Sequence, residues 1–194
     1  MTKTFTSINP ATEEKLIEYP GHSEKEVNDK LDKSVRAQKQ WKNYSFAERK
    51  KAMNHIARTL HMRKKDYSFL ITEEMGKPIT EALAEIEKCA WTCEHFAENA
   101  EKYLQPVNVK TDVKKSYVSF EPLGTILGIM PWNFPFWQFF RFAAPTLMAG
   151  NGIVLKHASN VPGCGMAIEQ LFMDHDFPKG LVTTALIDSK TALK

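Results

Sequence analysis

Residues 131–135 read Pro131-Trp132-Asn133-Phe134-Pro135, a side-chain amide held between two prolines. Proline fixes its own φ and restricts the residue before it, so this turn is stiff. The run just before it, Thr125 to Met130, is short and apolar, the form of a strand buried on both faces. Ligands of open α/β sheets bind beyond the C-terminal ends of the strands, so Asn133 stands where a ligand is expected. A rigidly held amide can donate a hydrogen bond to an oxygen that gains negative charge during a reaction. Losing one such donor costs about 2.7–4 kcal/mol of transition-state stabilisation. The same amide can instead cap the helix that follows. The residues alone leave these two roles even.

Three further side chains attract attention for their charge or reactivity. Lys156 ends the apolar run Gly152-Ile153-Val154-Leu155, a second strand. Arg141 is the only charge between Asn133 and Lys156. It lies about 12 Å beyond Asn133 if the segment is helical. A charge on so apolar a helix is expected to have an ion-pair partner or to line a cavity, and both remain open. Cys164 follows Pro162-Gly163 near a helix start, where a thiolate is favoured. Cys89 and Cys93 share one helical face without zinc-site spacing, which makes them buried small side chains and no metal site.

The elements that must position these residues fall into two styles. The first hundred residues read as helices. Ser23 with Glu26 and Ser45 with Glu48 fit capping boxes. Val27, Leu31 and Val35 form one apolar stripe; Met53, Ile56 and Leu60 form a second. A third helix is expected over Tyr67 to Met75, stopped by Gly76 and Pro78, and a long fourth from Ile79 to about Tyr103. Its stripe is Ile86, Ala90, Cys93 and Ala97. Val107 to Phe120 alternates loosely and reads as a two-stranded arm turning near Thr111-Asp112. From Gly124 the pattern is strand, helix, strand, helix, strand, with helices at Phe136 to Met148 and Gly163 to Met173 and a last strand at Leu181 to Ile187. That is one mononucleotide-type half of a doubly wound parallel sheet. The expected organisation is α/β, with a helical part over 1–106, a hairpin arm of the oligomerisation type over 107–120 and a βαβαβ half over 121–194.

The ordered stretches Glu121-Pro122-Leu123-Gly124, Pro131 to Pro135, Ala149-Gly150-Asn151 and Leu155-Lys156 resemble the aldehyde dehydrogenase superfamily. The likeness extends to Asn9-Pro10-Ala11-Thr12, to Glu74-Met75-Gly76-Lys77-Pro78-Ile79 and to Phe177-Pro178-Lys179-Gly180, so it covers nearly the whole chain. It implies that Asn133 donates to the oxyanion. It implies that Pro131, Trp132, Asn133, Lys156 and Ser159 contact the cofactor, NADP or NAD, with Lys156 at the adenosine ribose. Many NAD-preferring members carry Glu where Ser159 stands; an anion there would repel a 2′-phosphate, whereas Ser159 and Lys156 tolerate one. His157 replaces the commoner Pro. The wording Leu155-Lys156-His157-Ala158-Ser159-Asn160-Val161-Pro162-Gly163-Cys164 is similar to a succinate-semialdehyde dehydrogenase subgroup, which implies that Arg141 binds the distal carboxylate of the substrate.

The family reaction needs a Cys nucleophile and a Glu that activates water, and the resemblance places both beyond Lys194. The expectation is a chain without the catalytic domain, inactive alone. Two alternatives stand beside it: half of a two-chain enzyme completed by a C-terminal polypeptide, or a non-catalytic dinucleotide- or subunit-binding module. The net charge of +3 from 26 basic and 23 acidic residues gives no reason to invoke nucleic acid or an anionic membrane. No apolar run reaches the roughly 18 residues of a membrane span. The odd count of 3 cysteines and a start without an apolar signal core point to a reducing cytoplasm.

Overall fold

The computed structural model describes residues 3–193. It opens with β1 (Thr4–Ile8) and β2 (Lys15–Pro20), an antiparallel hairpin in which Phe5 faces Tyr19. This corrects the helical reading of the first hundred residues. Alternation over Thr4–Ile8 buries Phe5 and Ser7 and leaves Thr4 and Ile8 out, a strand signal of period 2. Asn9 makes the turn by bonding Ala11 N through its side chain and Glu13 N through its carbonyl.

The helical layer follows: α1 (Glu24–Trp41), α2 (Phe46–Met62), α3 (Lys64–Met75) and α4 (Ile79–Tyr103). Both capping boxes form, Ser23 with Glu26 and Ser45 with Glu48. Gly76 ends α3 with φ of 80°. The α2 and α4 stripes are buried as the periodicity requires. The α1 stripe is not: Leu31 and Val35 are 40% and 42% exposed, and the face of Ser34, Ala37, Gln38 and Trp41 is buried instead. Polar atoms decide this orientation. Trp41 Nε1 donates to Leu147 O at 2.8 Å and Gln38 Nε2 to Gly150 O at 3.0 Å, bonds that a hydrophobic count does not see.

The arm consists of β3 (Val107–Asn108) paired with β4 (Tyr117–Val118), both exposed. Then come β5 (Thr125–Ile129), α5 (Pro135–Met148), β6 (Gly152–Lys156), α6 (Pro162–Met173) and β7 (Val182–Thr184). The strands form a parallel sheet in the order β5-β6-β7, with Thr125 opposite Gly152 and Ile153 opposite Val182. β6 is buried throughout. β5 is not buried on both faces as its composition suggested: Leu127 and Ile129 are 50% and 54% exposed while Gly128 between them is buried, so one face of the strand is covered and the other is not.

One core joins the two styles. Trp41, Met53, Ile56, Leu60, Ile71 and Ile86 from the helical layer meet Phe136, Phe139, Phe140 and Leu147 of α5 and Phe172 of α6. Helices leave backbone groups unbonded at both ends, and here side chains of the helical layer take them. Arg49 donates to Met148 O at the end of α5, and it lies over Gly150, whose φ is 88° and where a Cβ would sit 3.0 Å from the guanidinium. Glu74 of α3 accepts from Gly163 N and Cys164 N at 2.8 Å each, closing the start of α6. Removing a buried partner exposes the full desolvation penalty, about 1–3 kcal/mol for each group left unsatisfied. Glu74→Ala is therefore expected to destabilise the chain by about 2–4 kcal/mol, read as a lower urea midpoint; a midpoint equal to that of the parent would rule out this role.

Candidate active and cofactor site

The loops that follow β5 and β6 lie on the same edge of the sheet, beyond the C-terminal ends of the strands. Pro131, Trp132, Asn133 and Phe134 form the first and are all exposed. The helix-cap role weighed for Asn133 is not taken. Phe134 is the residue preceding α5, no side chain of the loop caps the helix, and Asn133 makes no side-chain hydrogen bond among the described residues. Glu85 of α4 does the capping. Its Oε1 accepts from Phe136 N and Trp137 N, both at 2.9 Å, and its other oxygen pairs with Lys77. Glu85 and Lys77 are each 4% exposed.

Asn133 opens into a cleft of about 510 Å³ between the first turns of α4 and α5. Glu81, Glu85, Lys88, Phe134, Trp137 and Gln138 line it with Asn133. Lys88 Nζ lies 4.0 Å from the centre of the Trp137 ring. Arg141 is one turn beyond Trp137 on the same face of α5, by its spacing of four residues. It is exposed, does not line the cleft, and has no ion-pair partner among the described residues. The expected partner or cavity is thus not found there; the outer face of α5 at Arg141 packs against no other described element closely enough to cover it.

Lys156 ends β6 and is 5% exposed. Among the described residues its only side-chain bond is a long one, 3.4 Å to Ser189 Oγ. Burial pushes its pKa below that of a free lysine, with Asp188 opposing the shift. Ser159 is exposed on the loop between β6 and α6. His157, between them, is buried and ties the two loops together. Its Nδ1 accepts from Ala158 N at 2.8 Å, which leaves Nε2 carrying the proton and donating to Pro135 O at 2.9 Å. Burial lowers the pKa of His157 to about 4.

The cysteines are all free and buried. The thiolate expected for Cys164 near the start of α6 is disfavoured. Burial pushes its pKa up and the Glu74 carboxylate that caps the helix adds to the rise. Burial raises Cys89 and Cys93 in the same direction. Among the described residues no three His, Cys, Asp or Glu side chains group to hold a metal ion, and no helix is long and apolar enough to cross a membrane.

Glu74, Lys77, Glu85 and the bonding of His157 escaped a reading of single residues. One signal was available for Glu85: it is a charge set within the buried stripe of α4, between Ala82 and Ile86. A charge in such a stripe requires a partner.

Fold and loops together define a class, a helical layer on one mononucleotide-type half of a parallel sheet, with an amide-bearing turn and a buried lysine at its ligand edge. The sequence matches the aldehyde dehydrogenase family over residues 1–193, and the chain belongs to that family. It is 47% identical over 188 residues to a probable NADP(+) succinate-semialdehyde dehydrogenase of Synechocystis, covering 97% of this chain and 41% of that protein. With the NAD(P)+ succinate semialdehyde dehydrogenase of Escherichia coli it shares 39% over 175 residues, 90% of this chain and 38% of the relative. The crystal structure of succinic semialdehyde dehydrogenase from Streptococcus pyogenes in complex with NADP+ superposes with a TM-score of 0.93 at 30% identity, over 97% of this chain and 42% of the other. The chain therefore spans about two fifths of the length of these relatives.

The pH dependence of His157 follows from its burial, which outweighs the opposing bond to Pro135 O. Its folded pKa of about 4 lies below the unfolded value of about 6.5. Between those values the unfolded chain binds more protons, so the contribution of His157 to stability is complete above pH ~6.5 and is lost as pH falls towards 4. Nitrogen-15 NMR of the ring is expected to show the Nε2–H tautomer throughout neutral pH, with titration only near 4. A midpoint near 6.5 would contradict the burial described.

Proposed function

We propose that this chain supplies the cofactor-binding region and the oxyanion amide of an NAD(P)-dependent aldehyde dehydrogenase acting on succinate semialdehyde. The observation that carries the reading is Asn133: its amide is free of internal bonds, on a turn fixed by two prolines, at the mouth of a cleft beyond the sheet. An aldehyde oxygen bonded there gains negative charge when a nucleophile adds to the carbonyl, and a fixed amide donor stabilises it without reorganising.

The residues present fit a dinucleotide in one way and not in another. Helix N-termini beyond parallel strands commonly take phosphate, but Glu85 and Glu74 already fill those of α5 and α6 with negative charge. Lys156 and Ser159, in contrast, have bonding capacity to spare and face the same edge; they would hold the adenosine ribose, with Pro131 and Trp132 beside it. The nicotinamide, when bound, supplies the acceptor for hydride. The cation at Lys156 and the neutral hydroxyl of Ser159 tolerate a 2′-phosphate, so NADP is favoured, as in the name of the Synechocystis relative, while that of the E. coli relative admits either cofactor.

None of the three cysteines has a lowered pKa or an exposed sulfur, so the nucleophile is assigned to a segment that this chain does not contain. The same holds for the general base. Arg141, one turn beyond Trp137 on α5, takes the distal carboxylate through its two-pronged donor geometry. The exposed arm joins a second copy or the remainder of the enzyme, and the free thiols suit a reducing cytoplasm.

The 194-residue chain is expected to form no NAD(P)H from succinate semialdehyde with either cofactor; turnover that survives repurification would refute the assignment of the nucleophile. Continued by a C-terminal half from a relative, the enzyme is expected to prefer succinate semialdehyde over butanal. Arg141→Ala should then raise KM for the acid aldehyde about tenfold or more, as loss of a charge-assisted bond of 1.5–3 kcal/mol requires, and leave butanal nearly unchanged. Equal effects on both would remove Arg141 from the substrate site. In the same enzyme Ser159→Glu should cut kcat/KM with NADP by at least about tenfold relative to NAD, since a like charge at the 2′-phosphate costs over 1.4 kcal/mol. An unaltered ratio would place the ribose elsewhere.

A further inference from the structure

We infer that Lys77, Glu85 and His157 are positioning residues that set where Asn133 presents its amide. The inference rests on the oxyanion role proposed for Asn133. The turn carrying that residue receives no support from its own side chains, yet the four residues that follow it are held from three directions. Glu85, on α4, binds Phe136 N and Trp137 N with one carboxylate oxygen. Lys77, between α3 and α4, pairs with the other oxygen and places its ammonium 3.6 Å from the centre of the Phe134 ring, next to Asn133. His157, at the end of β6, donates to Pro135 O at 2.9 Å. Gly165 on α6 makes room for that ring, since a Cβ there would come 3.2 Å from the His157 Cβ.

Each contact alone is a structural bond. Their combination fixes more than the start of a helix. A cap bonded only to Phe136 N and Trp137 N would leave the loop free to pivot about Pro135. The Lys77 contact to Phe134 acts on the loop side of that pivot, and the His157 bond holds the carbonyl of Pro135 itself, fixing the pivot against the end of β6. A buried ion pair costs several kcal/mol of desolvation per charge unless its geometry satisfies both ions. Here the carboxylate meets two N–H groups and an ammonium, and the ammonium meets a carboxylate and an aromatic face. The arrangement therefore persists as a unit, and it directs Asn133 into the cleft that Glu85 also lines. A misplacement of about 1 Å in an active site costs on the order of a hundredfold in rate.

The test uses the enzyme formed by continuing this chain with the C-terminal half of a relative, with Asn133→Ala as reference. Two variants probe the unit independently. Lys77→Met with Glu85→Gln removes both buried charges and keeps volume and an acceptor; His157→Leu leaves the ion pair intact and removes the bond to Pro135 O together with the local one from Ala158 N. Each is expected to lower kcat for succinate semialdehyde about tenfold or more with KM within about twofold. On the Asn133→Ala background each should add less than about twofold, because a residue acting through Asn133 has nothing left to act on. Unchanged kcat in both variants, or losses that multiply with that of Asn133→Ala, would overturn the positioning while leaving the oxyanion role in place. An Asn133→Ala enzyme of full kcat would refute the oxyanion role, and the positioning with it. In the 194-residue chain, amide exchange at Phe136 and Trp137 should quicken in the paired variant while β6 stays protected; unaltered exchange at the turn counts against the inference without any assay of turnover.

Discussion

A helix that begins and ends inside a protein has backbone groups that water cannot reach, and α5 is such a helix. Its first N–H groups meet the Glu85 carboxylate, and its last carbonyls meet Trp41 Nε1 and Arg49. Burying these groups unbonded would cost about 1–3 kcal/mol each, a large share of a net stability of about 5–15 kcal/mol. The rest of the architecture serves this requirement. α1, α2 and α4 are placed so that their polar side chains reach both ends of α5, and the apolar packing of Phe136, Phe139, Phe140 and Leu147 follows the same alignment.

The same device shapes the ligand edge. Free helix N-termini attract anions because unbonded N–H groups and the helix dipole both point outwards. Glu85 and Glu74 close those of α5 and α6. What remains open to a ligand is the pair of loops, with a free amide on one and a buried cation at the root of the other. The groups this edge offers a ligand are therefore side chains, where many related sheets offer backbone. A side-chain amide has to be held, and beside Asn133 the backbone is bonded at Phe134 O, by Gln138 N, and at Pro135 O, Phe136 N and Trp137 N.

His157 shows how closely the two loops are coupled. Its one accepted and one donated bond fix the tautomer, and burial keeps the ring neutral. A neutral ring with both nitrogens satisfied transmits position without carrying charge. It leaves Lys156, its immediate neighbour, as the cation of that strand end. Cys164 is the converse case. A helix start favours a thiolate only while the dipole is unopposed, and here the capping carboxylate opposes it.

Much was legible in the sequence where local rules govern. Both capping boxes, the Gly76 stop, the α2 and α4 stripes and the alternation of strands and helices after Gly124 follow from periodicity and end signals that a few neighbouring residues specify. The ordered turn around Asn133 also sufficed for the family. Tertiary structure decided what depends on distant partners. The α1 stripe of Leu31 and Val35 lies outwards because Gln38 and Trp41 must reach α5. β5 is half exposed because no described element covers the face of Leu127 and Ile129, a property of how layers pack and not of composition. Thr4–Ile8 and Lys15–Pro20 pair as a hairpin because Phe5 and Ser7 find a surface to cover. Above all, whether Asn133 caps α5 or stays free was even on sequence alone. A carboxylate forty-eight residues earlier in the chain settles it by taking the N–H groups first, since a buried charge gains more from them than a solvated amide does.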